Sequence, residues 1–491
     1  MAASLLLGGV IILAITVLGV LFYYFSSPLK GVHGIPTIPF WVALMPLVKD
    51  VDQQEIFNKY IEKPLRKQGA VKIFFAGQWN VLIHKPEYIA EVFRREDIYQ
   101  KSGNHKKIPH SVLAALLGDN IISSRGETWK KYKRVIKPTL QVSPNLEVLL
   151  SNARLLSNIL VESQALATEQ GIQASIQRHT IANFGNTYFN VNLNAQISKE
   201  IFSPVFMNFP FLDRLPFPSR KRARKLASHF TDRLVVTLED GVKGDKTADI
   251  QNKLCTSLLS ARVSGELTEK QFRDNTTILF MAGQENPQLA ILSTMYLLAK
   301  HQDIQDHLFD ELSLQREKPV DAEYLHSLPL LTSTIYESLR LFPPIGQLIN
   351  RRVSSAVRLG DAIFIPQGTY VGYNCYSTNR DPDAWGQDAN DFRPSRWGCS
   401  RRDIQKEYRR RRASAEFISF HGGQRACLGE QYAILQLKAT LYTLVTRLRW
   451  RLDPMWLDRM TPAGPLYPRN LRLLFEERAV APTSMVVESF G

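Results

Sequence analysis

The ten residues Phe420 to Gly429 read Phe-His-Gly-Gly-Gln-Arg-Ala-Cys-Leu-Gly and set a cysteine among three glycines and an arginine. Helical periodicity begins just after Cys427, so its sulfur is expected to face the free N–H groups and positive dipole end of a helix N-terminus. Such donors lower a thiol pKa and tune the thiolate as an iron ligand. Gly422, Gly423 and Gly429 permit turn conformations and close backbone approach to a flat ligand. Phe420 is placed to shield the sulfur from water. A lone cysteine is more often buried filler. Here, however, every fixed position of F-x-x-G-x-R-x-C-x-G is met.

A second candidate site interrupts a long apolar helical pattern, Glu269–His301. Phe280-Met-Ala282-Gly283-Gln-Glu285-Asn286-Pro287 combines a residue without a side chain, a carboxylate, an amide and a proline. Gly283 is expected to clear space for a small ligand. Pro287 should clash with the Gly283 carbonyl and open the helix ladder. The freed carbonyl and Glu285 could then hold waters for proton delivery.

Glu337-Ser-Leu-Arg340 places opposite charges one helical turn apart. Alone this is weak, since Glu91–Arg94 and Glu407–Arg410 share the spacing. Its context is stronger: Leu-Phe-Pro-Pro follows at once, and Asp391-Phe-Arg-Pro-Ser-Arg396-Trp lies about fifty residues on. Trp129-Lys-Lys-Tyr-Lys133 supplies an aromatic–cation pair on another helical pattern.

In this order, and over nearly the whole chain, these motifs resemble the cytochrome P-450 family. The resemblance implies a mainly α fold, a triangular helical bundle with minor β-sheets. It implies haem b (iron protoporphyrin IX) ligated by Cys427, with Phe420, Gly423, Arg425 and Gly429 around it. Glu337, Arg340 and Arg396 become a buried structural network behind the haem. Trp129 and Lys133 resemble W-x-x-x-R, which contacts the propionates; lysine keeps the charge but loses the bidentate fork. Arg351 or Arg352 is expected to add another propionate contact, with Arg352 carried as the site residue. Gly283, Glu285 and Asn286 match A-G-x-(D/E)-T on the oxygen side, with Asn286 in place of threonine. An amide can hydrogen-bond oxygen but cannot shuttle a proton as a hydroxyl does. That leaves room for chemistry that stops at hydrogen abstraction and radical coupling.

Residues 107–123 and 282–288 are similar to a fungal branch of the family. The branch includes a yeast enzyme coupling N-formyltyrosine into dityrosine and relatives in xanthocillin-type isocyanide pathways. The resemblance therefore implies an oxidoreductase of fungal specialised metabolism that couples a tyrosine-derived phenol. A hydroxylating monooxygenase of another metabolite is the second reading, and a haem sensor or electron carrier the third. Electrons would come from NADPH through an acidic flavoprotein reductase. Arg401, Arg402, Lys406 and Arg409–Arg412 form a basic face suited to such a partner.

The supporting elements follow. Composition, with 44% hydrophobic and 22% charged residues, is that of a folded chain. The net charge of +15 suits an anionic membrane or an acidic partner. No zinc spacing or RNP-type motif points to nucleic acid. Four scattered cysteines suit a reducing, cytosol-facing location. Residues 1–27, uncharged and apolar with Tyr23 and Tyr24 near the end, are expected to form a single-pass anchor in the endoplasmic reticulum. Residues 28–45 read as a Pro/Gly-rich linker and 46–491 as one catalytic body. A hairpin is expected from Ala70–Phe75 and Trp79–His84, and more strand from Val353–Val371 with a turn at Pro366–Gly368. Helices are expected at Pro86–Arg95, Thr128–Lys137, Ser143–Gln170, Asp249–Ser260, Glu269–His301, Asp321–Leu341 and Glu430–Leu448. In the third, Ser143 and Pro144 read as N-cap and first turn. The basic run Arg220–Lys225, after Phe209-Pro-Phe-Leu and Leu215-Pro-Phe, reads as a loop dipping into anionic lipid.

Overall fold

The structure is a computed structural model describing residues 29 and 31–478, except 166–170, 191–200, 202, 245–252, 315–319 and 361, with a few positions between Gly8 and Gly19. The expected anchor lies almost wholly outside the described residues. Among those described, no helix is long and apolar enough to cross a membrane.

The segment expected as a linker is docked from residue 31 onward. Val32, Ile35 and Ile38 are buried. Ile38 N–H donates to Lys72 O (2.9 Å) and Lys72 N–H to Pro36 O (2.8 Å), so the segment pairs with a sheet edge. The prolines stiffen its path, but the apolar residues between them anchor it. The five-stranded sheet begins with β1 (Ala70–Phe75) and β2 (Gln78–Ile83). Their loop is two residues, Ala76 and Gly77, both with positive φ, the geometry that matches strand twist in a tight hairpin. After α1 (Pro86–Arg94) and β3 (Tyr99–Lys101) the chain becomes helical.

Next come α2 (Gly126–Leu140), α3 (Leu146–Ala165) and α4 (Gln173–Phe184). Ser143 and Pro144 do not start α3. The Asn145 side chain accepts the Glu147 N–H at 3.0 Å instead, because an amide oxygen there reaches the free N–H groups of the first turn. Arg220–Lys225 is no loop but the start of a 27-residue helix, α5 (Pro218–Gly244). Pro218 in the first turn and the apolar positions Ala223, Ala227, Leu234 and Leu238, all buried, account for it. Then follow α6 (Leu254–Val263) and α7 (Glu269–Lys300), which opens with a capping box between Thr268 and Gln271.

Helix α7 is buried on nearly all sides and forms the centre of the molecule. It stays helical through Pro287, which has no N–H to donate to the Gly283 carbonyl, so one rung is missing without ending the helix. The stretch Asp321–Leu341 divides into a short helix, Ala322–Ser327, and α8 (Pro329–Leu341). Leu328 is extended, as the residue before a proline tends to be. Strands β4 (Gln347–Val353), β5 (Val357–Leu359), β6 (Ile363–Ile365) and β7 (Tyr370–Asn374) follow. The large sheet has the order β1-β2-β7-β4-β3, with β2 and β7 parallel. Helices α9 (Arg401–Ala413) and α10 (Glu430–Arg447), then the β8–β9 pair (Leu448–Leu452, Leu473–Glu477), complete the fold.

Candidate active site

The loop before α10 is closed by the Cys427 N–H, which donates to Phe420 O at 3.0 Å. Gly423 has φ +63, and a Cβ there would come 2.7 Å from Phe93 O; one on Gly422 would come 2.5 Å from the Phe93 ring. These two glycines thus admit Phe93 of α1, not a flat ligand. Gly429 differs: a Cβ there would meet nothing within 4 Å, and the residue lines a cavity. Cys427 lines the same cavity and keeps exposed surface although it lies deep in the chain. The Gly429 N–H lowers the thiol pKa, but burial outweighs it and pushes the thiol up to about 11. The helix-terminal donor thus acts in the expected direction, and a bound metal cation would add to it.

The cavity, of about 240 Å³, has Phe420, Leu428 and Tyr432 beside the cysteine. Helix α7 contributes another wall through Ala282, Gly283, Asn286, Pro287 and Ala290. Asn286 Nδ2 donates to Ala282 O at 3.4 Å, so its amide is tied to its own helix. Gly283 has a reason the sequence did not reveal: a Cβ there would lie 2.1 Å from Phe184 Cε2. The space it clears is taken by an aromatic ring of α4. Glu285 is not on the cavity wall. Burial raises its pKa, and its charge acts on Tyr467 instead.

One end of the cavity carries concentrated positive charge. Lys101 and Arg425 line it, and Arg351 is fully buried beside them. Among the described residues, their one acidic partner is Glu96, 3.4 Å from Arg351 and 3.3 Å from Arg425. Burial, then Arg351 and Arg425, hold the Lys101 pKa well below the usual lysine range. Burial also depresses Arg425, to about 10. Arg425 stacks on Trp129 at 4.1 Å, with Lys133 over the same ring at 4.7 Å. Trp129 lines the cavity and Lys133 does not. Arg351 Nε has no hydrogen-bond partner. Arg352, the residue carried from the sequence, is exposed and donates to Gly368 O. Strand alternation turns its side chain to the opposite face from Arg351.

A model of the cytochrome P-450 family matches residues 34–467. The chain is a cytochrome P-450. It is similar to cytochrome P-450 DIT2 of Saccharomyces cerevisiae, with 38% identity over 95% of this chain and 98% of that one. It is also similar to cytochrome P-450 monooxygenase xanG of Aspergillus fumigatus, at 35% over 88% and 85%. Similarity extends to a plant enzyme, echinocystic acid 23-monooxygenase of Saponaria officinalis, at 23% over 88% and 87%. The fungal resemblance drawn from residues 107–123 and 282–288 agrees with the first two.

A cytochrome P-450 is a monooxygenase or oxidase that carries haem on a cysteine thiolate and receives electrons from a redox partner. The residues of this cytochrome P-450 fit that group. Three buried cations facing a single carboxylate call for further anionic charge, which haem propionates provide. An apolar cavity holding one cysteine and an uncrowded Gly429 suits a flat macrocycle. Sequence reasoning missed Lys101, Glu96 and Phe184. Only for Lys101 was there a signal: it shares a strand face with Tyr99.

Behind this site, the cytochrome P-450 buries the charges that the sequence grouped. Glu337 and Arg340 are both fully buried and joined by two bonds of 2.8 Å. Arg396 Nε donates to Glu337 Oε1 at 2.7 Å. Trp397 Nε1 (3.0 Å) and the Arg393 N–H (3.0 Å) complete the carboxylate's partners. Arg340 also donates to the carbonyls of Asn379, Ala389 and Asp391, tying α8 to the loop before α9. The basic run on α9 is partly consumed by ion pairs: Arg401 with Glu323, Arg410 and Arg411 with Glu407, Arg412 with Glu430. Arg402, Lys406 and Arg409 are exposed, and no ion pair is formed by them among the described residues. Within α5, Arg220 is buried on Asp213 at 2.6 Å and is not a surface charge.

Proposed function

We propose that this cytochrome P-450 holds its haem through Cys427 and oxidatively couples a tyrosine-derived phenol. Asn286 carries this reading: the cavity wall presents an amide, tied to Ala282 O, where the family pattern has a hydroxyl. An amide donates a hydrogen bond but does not relay a proton. Glu285 stands off the wall, so neither side chain offers a short proton path to that surface. Such a site leaves room for chemistry that ends at hydrogen removal and radical coupling. With haem bound, dioxygen activation there would take two electrons from the redox partner, two protons and one hydrogen from each of two phenols, leaving two waters and a coupled dimer. Lys101, Arg351 and Arg425 would hold the propionates, with Trp129 supporting Arg425. Ile278, Leu279 and Ala290 keep the cavity apolar and exclude water.

The test is product analysis with N-formyl-L-tyrosine, NADPH, a cytochrome P-450 reductase and ¹⁸O-labelled dioxygen. A dimer free of label is the expected product. A labelled monomer as sole product would favour the hydroxylating alternative.

We also infer that residues 1–27 anchor the protein in the endoplasmic reticulum membrane with the body in the cytosol. Trp41, Phe211, Leu215 and Phe217 are exposed, and Asn208 Nδ2 donates to Ala43 O, so these apolar side chains lie on neighbouring segments. Lys221 and Lys225 are exposed on the adjoining first turns of α5. Apolar and basic side chains together suit an anionic lipid surface. Arg402, Lys406 and Arg409 supply the positive charge that an acidic reductase needs for docking. Carbonate extraction of membranes from cells making the full chain should leave it in the pellet.

A further inference from the structure

His421 stands apart from the rest of the thiolate loop in its backbone. Of the residues Phe420–Gly429 that carry a side chain, it alone has a positive φ, +59. A side chain is held in the left-handed region only where its surroundings fix it there. Tyr373 of β7 does so: its hydroxyl lies 3.1 Å from His421 Nδ1, and the two rings meet edge to face at 5.7 Å. Tyr373 is buried, and this is its hydroxyl's one hydrogen bond among the described residues. A buried phenol O–H needs an acceptor, so Tyr373 donates and Nδ1 accepts. Burial, reinforced by Lys101, Arg351 and Arg412, keeps the ring neutral, its pKa lowered to about 3. The single ring proton therefore sits on Nε2.

That Nε2–H has no hydrogen-bond partner among the described residues, and it is not sealed from space as the orphaned buried atoms are. His421 keeps accessible surface and lines the haem-side cavity together with Lys101 and Arg425. We propose that His421 is a further haem-binding residue, donating its Nε2–H to a propionate, with Tyr373 as the positioning residue that fixes the tautomer. Two propionates and Glu96 already balance the charges of Lys101, Arg351 and Arg425. Carboxylate oxygens accept more bonds than those three cations fill, and a neutral donor supplies one without adding a fourth positive charge. The left-handed backbone is the strain that places the ring there. This rests on haem seated at Cys427, which the carbon monoxide spectrum of the wild type tests separately.

The test compares full-length holoenzymes of wild type, His421→Asn and His421→Gln by two readouts other than turnover: the propionate bending band in resonance Raman spectra, and the rate of haem loss to excess apomyoglobin. Asparagine tolerates a positive φ and sets its amide where Nδ1 stands, so Tyr373 keeps a partner while the reach to the propionate is lost. Glutamine carries its amide out to the position of Nε2 and restores the donor. His421→Asn should shift the propionate band and release haem about tenfold faster, as for loss of one charge-assisted hydrogen bond. His421→Gln should hold the band and the rate close to wild type. An unshifted propionate band in His421→Asn would overturn the proposal, whatever the rate of haem loss. So would equal shifts in both variants, which would mark a general disturbance of the loop.

Discussion

Phe184 occupies the space a side chain at Gly283 would need: a Cβ there would sit 2.1 Å from Phe184 Cε2. Helix α4 can approach the central helix at the cavity wall only because residue 283 has no side chain. Gly283→Ala should therefore destabilise the protein by about 1–3 kcal/mol through overpacking. Adding Phe184→Leu should recover a large part of that loss. Denaturant unfolding of the two single variants and the double variant measures the coupling. Strictly additive effects would show that the two residues do not compete.

Arg351 and Arg352 are neighbours in sequence and opposites in role. Arg351→Ala should sharply reduce haem retention, since it removes one of three buried cations at the cavity end. Arg352→Ala should leave haem content and thermal stability close to wild type, as for most surface changes. Pyridine haemochrome analysis of both purified variants separates them.

Glu337 accepts hydrogen bonds from Arg340, Arg396, Trp397 and a backbone N–H. Glu337→Ala strands two buried guanidinium groups and should cost about 3–5 kcal/mol. The expected outcome is protein that fails to retain haem. A purified variant with normal haem content and an unchanged melting temperature would contradict this structural role.

His179 gives an acid-sensitivity prediction. Its Nδ1 lies 3.2 Å from Asn152 O, and its Nε2 lies 2.9 Å from Thr440 Oγ1 and 3.1 Å from Asn183 Nδ2, inside a buried pocket that disfavours the charged ring. Burial lowers its pKa to about 4. With the folded value below the unfolded value near 6.5, the stabilisation is present above that value and is lost as pH falls toward 4. Between pH 7 and pH 5 this residue should account for about 2 kcal/mol of lost stability. His179→Gln should flatten that part of the stability–pH profile, measured by urea unfolding.

The helical core and the thiolate loop were legible because they depend on local pattern. Periodic apolar residues located α7 and α10, and the glycine-rich spacing located Cys427. What failed depended on neighbours distant in sequence. Gly283 lines the cavity as expected, but its contact with Phe184 could not be read because nothing in its own helix mentions that ring. Arg351 and Arg352 are equivalent as letters until the register of β4 turns one inward. Glu285 shares a motif with Asn286, yet it does not line the cavity with Asn286. The start of α5 was obscured by its charges, one of which, Arg220, is buried on Asp213.

The central claim is that the sulfur of Cys427 is the haem's axial ligand. The most direct measurement is the carbon monoxide difference spectrum of the reduced full-length protein, beside that of Cys427→Ser. Wild type should show the strongly red-shifted Soret band that a thiolate imposes, and the serine variant should lose it. A variant that binds haem and gives the wild-type band would contradict the account.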